Sequence, residues 1–127
     1  MVVLKVIGCL YLLSGGWCAF APSLAASFLG FSFSNSTGLG EFFAVYGGLQ
    51  VGLGAAMVIS SWQPRYVEAA LYFSAIFSSA LLLFRVLGML LYGSTPALAG
   101  MALLEAVIAI GLWAAWNKSR VGPDTTT

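Results

Sequence analysis

Four long apolar stretches, each nearly free of charge, constrain this chain more than any other feature. They cover about residues 2–21, 41–61, 66–91 and 97–116. Each stretch is close to the roughly 20 residues that an α-helix needs to cross the hydrocarbon core of a bilayer. Inside a bilayer every backbone polar group needs a partner within the protein, and a helix supplies those partners internally. The sequence therefore predicts an all-α integral membrane protein, a bundle of four transmembrane helices.

The composition agrees with a membrane protein and argues against several functions. Of the 127 residues, 61% are hydrophobic and only 7% are charged, whereas soluble domains carry about 25% charged residues. The net charge of +1 is too small for a nucleic-acid-binding surface. The chain has no histidine, and its two cysteines, Cys9 and Cys18, do not have the spacing of a metal or redox pair. We therefore expect no catalytic residues, no metal site, no cofactor and no enzyme activity.

The distribution of basic residues predicts the orientation. Four of them fall on one side of the predicted topology, namely Lys5, Arg65, Lys118 and Arg120. The two loops on the other side, residues 22–40 and 93–96, contain no Lys or Arg. Because cytoplasmic loops carry an excess of Lys and Arg, both termini are expected in the cytoplasm, with residues 118–127 as a polar tail.

Helix-start signals support these boundaries. Pro64 suits the first turn of the third helix, and Pro96 suits the first turn of the fourth, with Thr95 as its N-cap. The long outer loop has the composition of an interfacial segment, and we expect a short helix near residues 23–28.

The second helix carries small residues at a spacing of four, namely Ala44, Gly48, Gly52 and Ala56, and Gly47 and Gly54 widen this surface. Small residues let two helix backbones approach closely, which is a main source of association between helices in lipid. The pattern predicts a helix-packing surface on a helix that is central to the bundle.

Arg85 and Glu105 are the most informative polar residues. Arg85 lies about seven residues before the end of the third helix, and Glu105 about eight residues after the start of the fourth. With a rise of 1.5 Å per residue, both lie roughly 10–12 Å below the outer helix ends. An unpaired charge at such a depth costs at least about 2.5–3.5 kcal/mol. Matched depth in neighbouring antiparallel helices therefore predicts a buried ion pair.

Three further polar groups fall in the same outer half of the second helix: Glu41, Tyr46 and Gln50. Two interpretations of this half of the bundle stay open. In one, the ion pair only fixes helix register and orientation. In the other, a polar pocket around Arg85 and Glu105 binds a headgroup, a quinone, a proton or a small solute.

The second helix also resembles a known family. Residues 41–54 read Glu-Phe-Phe-Ala-Val-Tyr-Gly-Gly-Leu-Gln-Val-Gly-Leu-Gly, and their Ala-x-Tyr-Gly-Gly core is similar to that of small bacterial four-helix membrane proteins catalogued as a domain of unknown function. Arg85 before a short Gly-containing turn, and Glu105 in the last helix, fit the same pattern. The resemblance implies the topology and a bacterial inner, or plasma, membrane, but no activity.

The function predicted from the sequence is an accessory or scaffolding subunit that packs against a larger membrane complex. The small size, the smooth glycine face and the lack of a reactive group favour it. The alternative is a homo-oligomeric small-solute or ion-coupled transporter, or a lipid- or quinone-binding protein, that uses the outer-leaflet pocket. The expected partners are the lipid bilayer and other membrane subunits, or further copies of this chain.

Overall fold

The computed structural model describes residues 1–122, and every regular element in that range is helical. The α-helices are α1 Val2–Phe20, α2 Pro22–Phe28, α3 Ser36–Phe42, α4 Gln50–Ser60, α5 Pro64–Tyr92 and α6 Pro96–Arg120. A π-helical segment, Phe43–Leu49, joins α3 to α4 without a break.

Four helices are long and apolar enough to cross a membrane. They are α1, the continuous helix Ser36–Ser60, α5 and α6, with 19, 25, 29 and 25 residues. The predicted fold class, all-α with four membrane-spanning helices, is confirmed for the described residues. The side of the membrane on which the termini lie stays a prediction.

Two helix boundaries differ from the sequence prediction. The second long helix begins at Ser36 instead of near Glu41, because the Asn35 side chain accepts hydrogen bonds from the backbone N–H groups of Thr37 and Gly38 at 3.0 and 3.3 Å. The last helix continues to Arg120, so residues 118–120 form its final turn and not the start of a tail. Basic side chains there suit the negative end of the helix dipole. Residues 123–127 of the predicted tail lie outside the described range.

The chain divides into two compact units, an N-terminal unit from Leu4 to Trp62 and a C-terminal unit from Gln63 onward. In the N-terminal unit, α1 packs antiparallel against the second long helix. Glycines make the contact: Gly8 lies beside Gly54, and Gly15 beside Gly47. A Cβ atom on Gly54 would lie only 2.7 Å from the carbonyl oxygen of Gly8. The two backbones therefore touch, and no larger residue fits at these positions without movement.

Aromatic side chains close one end of the N-terminal unit. Cys18 and Phe42 are buried in a small core with two alanines of α2, Ala25 and Ala26. Tyr46 stacks on Phe42 with ring centroids 4.8 Å apart, and the ring of Phe31 meets both edge-on. The loop between α2 and α3 is thus held onto the helices by ring contacts.

In the C-terminal unit, α5 and α6 form an antiparallel hairpin. Gly93 ends α5 with φ +100°, a left-handed conformation that favours glycine. Thr95 caps α6 by accepting a hydrogen bond from the N–H of Leu98 at 3.2 Å, and Pro96 occupies the first turn, as predicted. A tight turn between two long helices places residues of equal depth side by side.

Candidate functional site

The ion pair expected from matched depth is present in the hairpin. Arg85 of α5 donates two hydrogen bonds to the carboxylate of Glu105 on α6, from Nε to Oε2 at 2.6 Å and from Nη2 to Oε1 at 2.7 Å. Both side chains are mostly buried, with 22% and 14% of their surface exposed. Such a two-point contact fixes the orientation as well as the distance, because both groups are planar.

A second side-chain bond ties the same two helices together closer to their other ends. The indole Nε1 of Trp113 donates to the hydroxyl of Ser79 at 2.9 Å, while that hydroxyl donates to the carbonyl of Ala75 at 2.7 Å. The sequence does not predict this link, since serine and tryptophan are common in membrane helices without pairing. Together the two links fix the register of α5 against α6.

A groove of about 540 Å³ opens beside the ion pair, at the end of the hairpin that holds the turn. Its wall is made by residues of both helices and the turn: Phe84, Arg85, Gly88, Met89, Tyr92, Gly93, Ser94, Thr95 and Leu98. Arg85 is its one charged lining residue among those described. The groove therefore joins an apolar surface to a guanidinium that is already held by a carboxylate.

Gly88 lines the groove and has no side chain to extend into it. Gly88 lies one turn beyond Arg85 on α5, and a Cβ atom there would meet no atom within 4 Å. Residues 85, 88, 89 and 92 share one face of the helix by their spacing. A larger side chain at position 88 would therefore fill the space over Arg85 without displacing the hairpin.

The other predicted pocket residues belong to the N-terminal unit and have surroundings of their own. Glu41 is exposed in the last turn of α3. Tyr46 is part of the aromatic cluster around Phe42. Gln50 begins α4 against Gly15, and its buried Oε1 atom has no hydrogen-bond partner among the described residues. None of the three lines the groove beside Arg85.

The two glycines of the predicted small-residue stripe make no close contact with the part of the chain that the structure describes. Ala44, Gly48, Gly52 and Ala56 are all exposed, and a Cβ atom on either glycine would meet nothing within 4 Å. The backbone contact with α1 uses Gly47 and Gly54 instead. Both sets of glycines lie on the same helix, so the sequence revealed the helix but not the face that α1 covers.

The π-helical segment is a functional candidate that sequence reasoning missed. It covers Phe43–Leu49 and so contains the whole Ala-x-Tyr-Gly-Gly core of the resemblance. π-Helical turns are rare and occur frequently at functional sites. No pattern of apolar or small residues in this stretch distinguishes a π-helix from an α-helix, because both bury similar faces over one or two turns.

Comparison with known proteins found no matching family model, no similar curated protein and no similar solved structure. The resemblance of the second helix to the small bacterial four-helix family therefore stays a prediction.

Proposed function

We propose that the protein is a small non-catalytic multi-pass membrane subunit that packs against a larger membrane complex through its second long helix. The observation that carries the proposal is the exposure of Gly48 and Gly52 on a helix whose neighbouring glycines, Gly47 and Gly54, already contact α1. Gly47 and Gly54 are in backbone contact with α1, while Gly48 and Gly52 have open space around them. This helix thus has one occupied and one unoccupied glycine surface.

The energetics of glycine support a partner on the open surface. In a helix interior glycine is about 1 kcal/mol less favourable than alanine. That cost is offset where a neighbouring backbone approaches closely, as Gly8 does at Gly54. Lipid chains need no such approach, so glycines facing only lipid would weaken the helix without compensation. A transmembrane helix from another polypeptide, also carrying small residues, is the occupant that this surface fits.

The ion pair supports a structural role better than a carrier role. A carrier carboxylate must exchange its proton or ion during each cycle, whereas Glu105 is held by two hydrogen bonds from Arg85 at 2.6 and 2.7 Å. These two hydrogen bonds occupy both carboxylate oxygens, which are the atoms that a carried proton or ion would have to reach. The proposed role is therefore that of a subunit and not of an independent transporter. The proposal also includes a bacterial plasma membrane, which the family resemblance implies, and cytoplasmic termini, which the distribution of basic residues predicts.

The test is native mass spectrometry of the protein extracted gently from its own membranes. Wild-type protein should leave the membrane with larger, different polypeptides. The double variant Gly48→Leu/Gly52→Leu should lose them and keep its fold, because no atom of residues 1–122 lies within 4 Å of a Cβ at either position. Gly100→Leu is the control, since Gly100 is an open glycine on α6 that has no small residue four positions before or after it and so belongs to no small-residue stripe. Unchanged association of the double variant, or a homo-oligomer as the sole wild-type species, would contradict the accessory role.

A further inference from the structure

At the end opposite its turn, the α5–α6 hairpin carries a face that combines aromatic rings with two arginines. On α5, Arg65 and Tyr72 are seven residues apart and so lie on one side of the helix. On α6, Trp116 and Arg120 are four residues apart and share a side in the same way. We propose that this face binds one anionic phospholipid, with its phosphate at the two guanidinium groups and its acyl chains against the rings. The face belongs to the C-terminal unit and does not involve the second long helix.

Ring contacts bring the two sides of this face together. The ring of Tyr72 lies 5.0 Å from that of Trp116 and 6.2 Å from that of Trp113. Starting from this contact, Arg120 lies one turn onward in α6 and Arg65 two turns back in α5. Because the helices are antiparallel, both lie toward the same end of the hairpin, with Cα atoms about 6 and about 10 Å beyond the rings. One phosphate is therefore within reach of both long side chains.

The Arg120 guanidinium is positioned by its ring contacts. Its Cζ atom lies over the ring of Trp116, 4.6 Å from the centroid. Trp116 packs against Trp113 with centroids 5.4 Å apart, and the Trp113 indole is fixed by its hydrogen bond to Ser79 at 2.9 Å. A guanidinium over a ring presents its flat face to that ring, whereas its N–H donors point outward in the plane of the group. The same group can therefore donate two parallel hydrogen bonds to a phosphate.

The charge of the face favours an anion. Arg65 and Arg120 are exposed, and neither forms an ion pair within residues 1–122. The Arg65 guanidinium instead lies over the ring of Tyr66, 4.4 Å from its centroid. Glu68, three residues after Arg65, is the acidic residue of this face in the described range, and it is also unpaired there. Two positive charges thus face one negative charge, and basic side chains next to a membrane surface attract anionic lipids.

The rings select a lipid over a soluble anion. Tyr72 is 46% exposed and Trp116 partly exposed, on two helices that are long enough to span a bilayer. Tyrosine and tryptophan suit the boundary between headgroups and hydrocarbon, so guanidinium groups one and two turns beyond them lie at the depth of the lipid phosphates. A phospholipid with a net negative charge meets both features with one molecule. The choline group of a zwitterionic lipid adds a cation that the arginines repel.

The experiment counts lipids bound to the full chain by native mass spectrometry in a mild detergent. Dioleoylphosphatidylglycerol and dioleoylphosphatidylcholine are titrated separately, and inorganic phosphate is added as a competitor. We expect saturable binding of phosphatidylglycerol that an equimolar amount of inorganic phosphate does not displace, and binding of phosphatidylcholine at least about tenfold weaker. Equal affinity for the two lipids, or displacement by inorganic phosphate, would overturn the proposal.

Matched variants locate the lipid. Arg120→Gln should weaken phosphatidylglycerol binding by about fivefold, the effect of one basic side chain near the membrane surface. Lys118→Gln is the control, because it removes the same charge from the same helix but lies about 200° around the axis from Arg120. It should leave binding nearly unchanged. Glu68→Gln removes the carboxylate that repels the phosphate and should tighten binding.

Elution of each variant as a monodisperse species verifies its fold, and Arg65→Gln provides the same test on the other helix of the hairpin. Equal losses for Arg120→Gln and Lys118→Gln would mean that net charge alone attracts the lipid, which would refute a site on this face. Unchanged or weaker binding by Glu68→Gln would refute it as well.

Discussion

Arg85 and Glu105 show how far a single pair of residues can be understood from sequence. The two opposite charges lie at about the same distance from the turn that connects their helices. Pairing them is therefore the simplest way to avoid an isolated charge in lipid. The structure adds the geometry of the contact, two hydrogen bonds between planar groups, and the mostly buried state of both side chains. A pair of this kind need not add net stability, although each member depends on the other.

The mutual dependence predicts an asymmetry between single and double substitutions. Glu105→Ala leaves the Arg85 guanidinium buried without its carboxylate, and removing one partner of a buried pair costs about 3–5 kcal/mol. Arg85→Met/Glu105→Met replaces both charges by apolar side chains and should cost less. The fraction of extracted protein that elutes as a monodisperse species measures the difference. Equal losses for the single and double variants would mean that the pair contributes no interaction.

At the scale of elements, glycines on one helix have two distinct roles. The second long helix meets α1 through Gly47 and Gly54, with backbone atoms in contact. Gly48 and Gly52 have open surroundings. Gly48 directly follows Gly47, and Gly52 lies two residues before Gly54. Which glycines contact α1 depends on the orientation of the helix about its own axis. Neither residue spacing nor hydropathy in the sequence reveals that orientation.

This difference predicts opposite effects of the same substitution. Gly54→Ala should loosen the packing of α1 by about 1–3 kcal/mol, the usual cost of overpacking, because the new methyl group meets the Gly8 carbonyl. Gly52→Ala should leave the packing intact and can favour the helix by up to about 1 kcal/mol.

Cys18 reports on this packing, since it is a free thiol of α1 that is only 2% exposed. In a Cys9→Ser background, which removes the exposed thiol, a membrane-permeant maleimide should modify Cys18 faster in Gly54→Ala than in Gly52→Ala or the parent. Equal modification rates in all three proteins would place the α1 contact elsewhere.

At the scale of the whole molecule, the predicted orientation of the helices across the membrane depends on where the Lys and Arg residues lie. Arg65 begins α5, while Lys118 and Arg120 end α6, and these ends are adjacent because the hairpin is antiparallel. In the N-terminal unit, Lys5 lies over the ring of Trp62, 6.0 Å from its centroid. Apart from Arg85, which pairs with Glu105 inside the hairpin, the basic residues thus lie at helix ends that the positive-inside rule predicts to be cytoplasmic.

Reporter fusions test this orientation. An alkaline phosphatase domain fused after Arg120 should be inactive, because that enzyme needs an oxidising compartment for its disulfides. The same domain inserted at Ser94, in the turn between α5 and α6, should be active. A fluorescent-protein fusion after Arg120 should show the reverse pattern and serves as the control. Activity of the phosphatase after Arg120 would invert the topology.

The sequence by itself determined the number and approximate extent of the spanning helices, the turn at residues 93–96 and the pairing of Arg85 with Glu105. These follow from quantities that are local or nearly so: the length of an apolar run, the residues that cap a helix, and the depth of a charge. Only the tertiary structure decided which glycines α1 covers, where the helix becomes π-helical, and that Gly88 leaves a groove over Arg85. In a soluble helix the apolar stripe marks the buried face. In a membrane helix lipid is as apolar as the protein interior, so all faces look alike in sequence and the buried face is selected by packing against a particular neighbour.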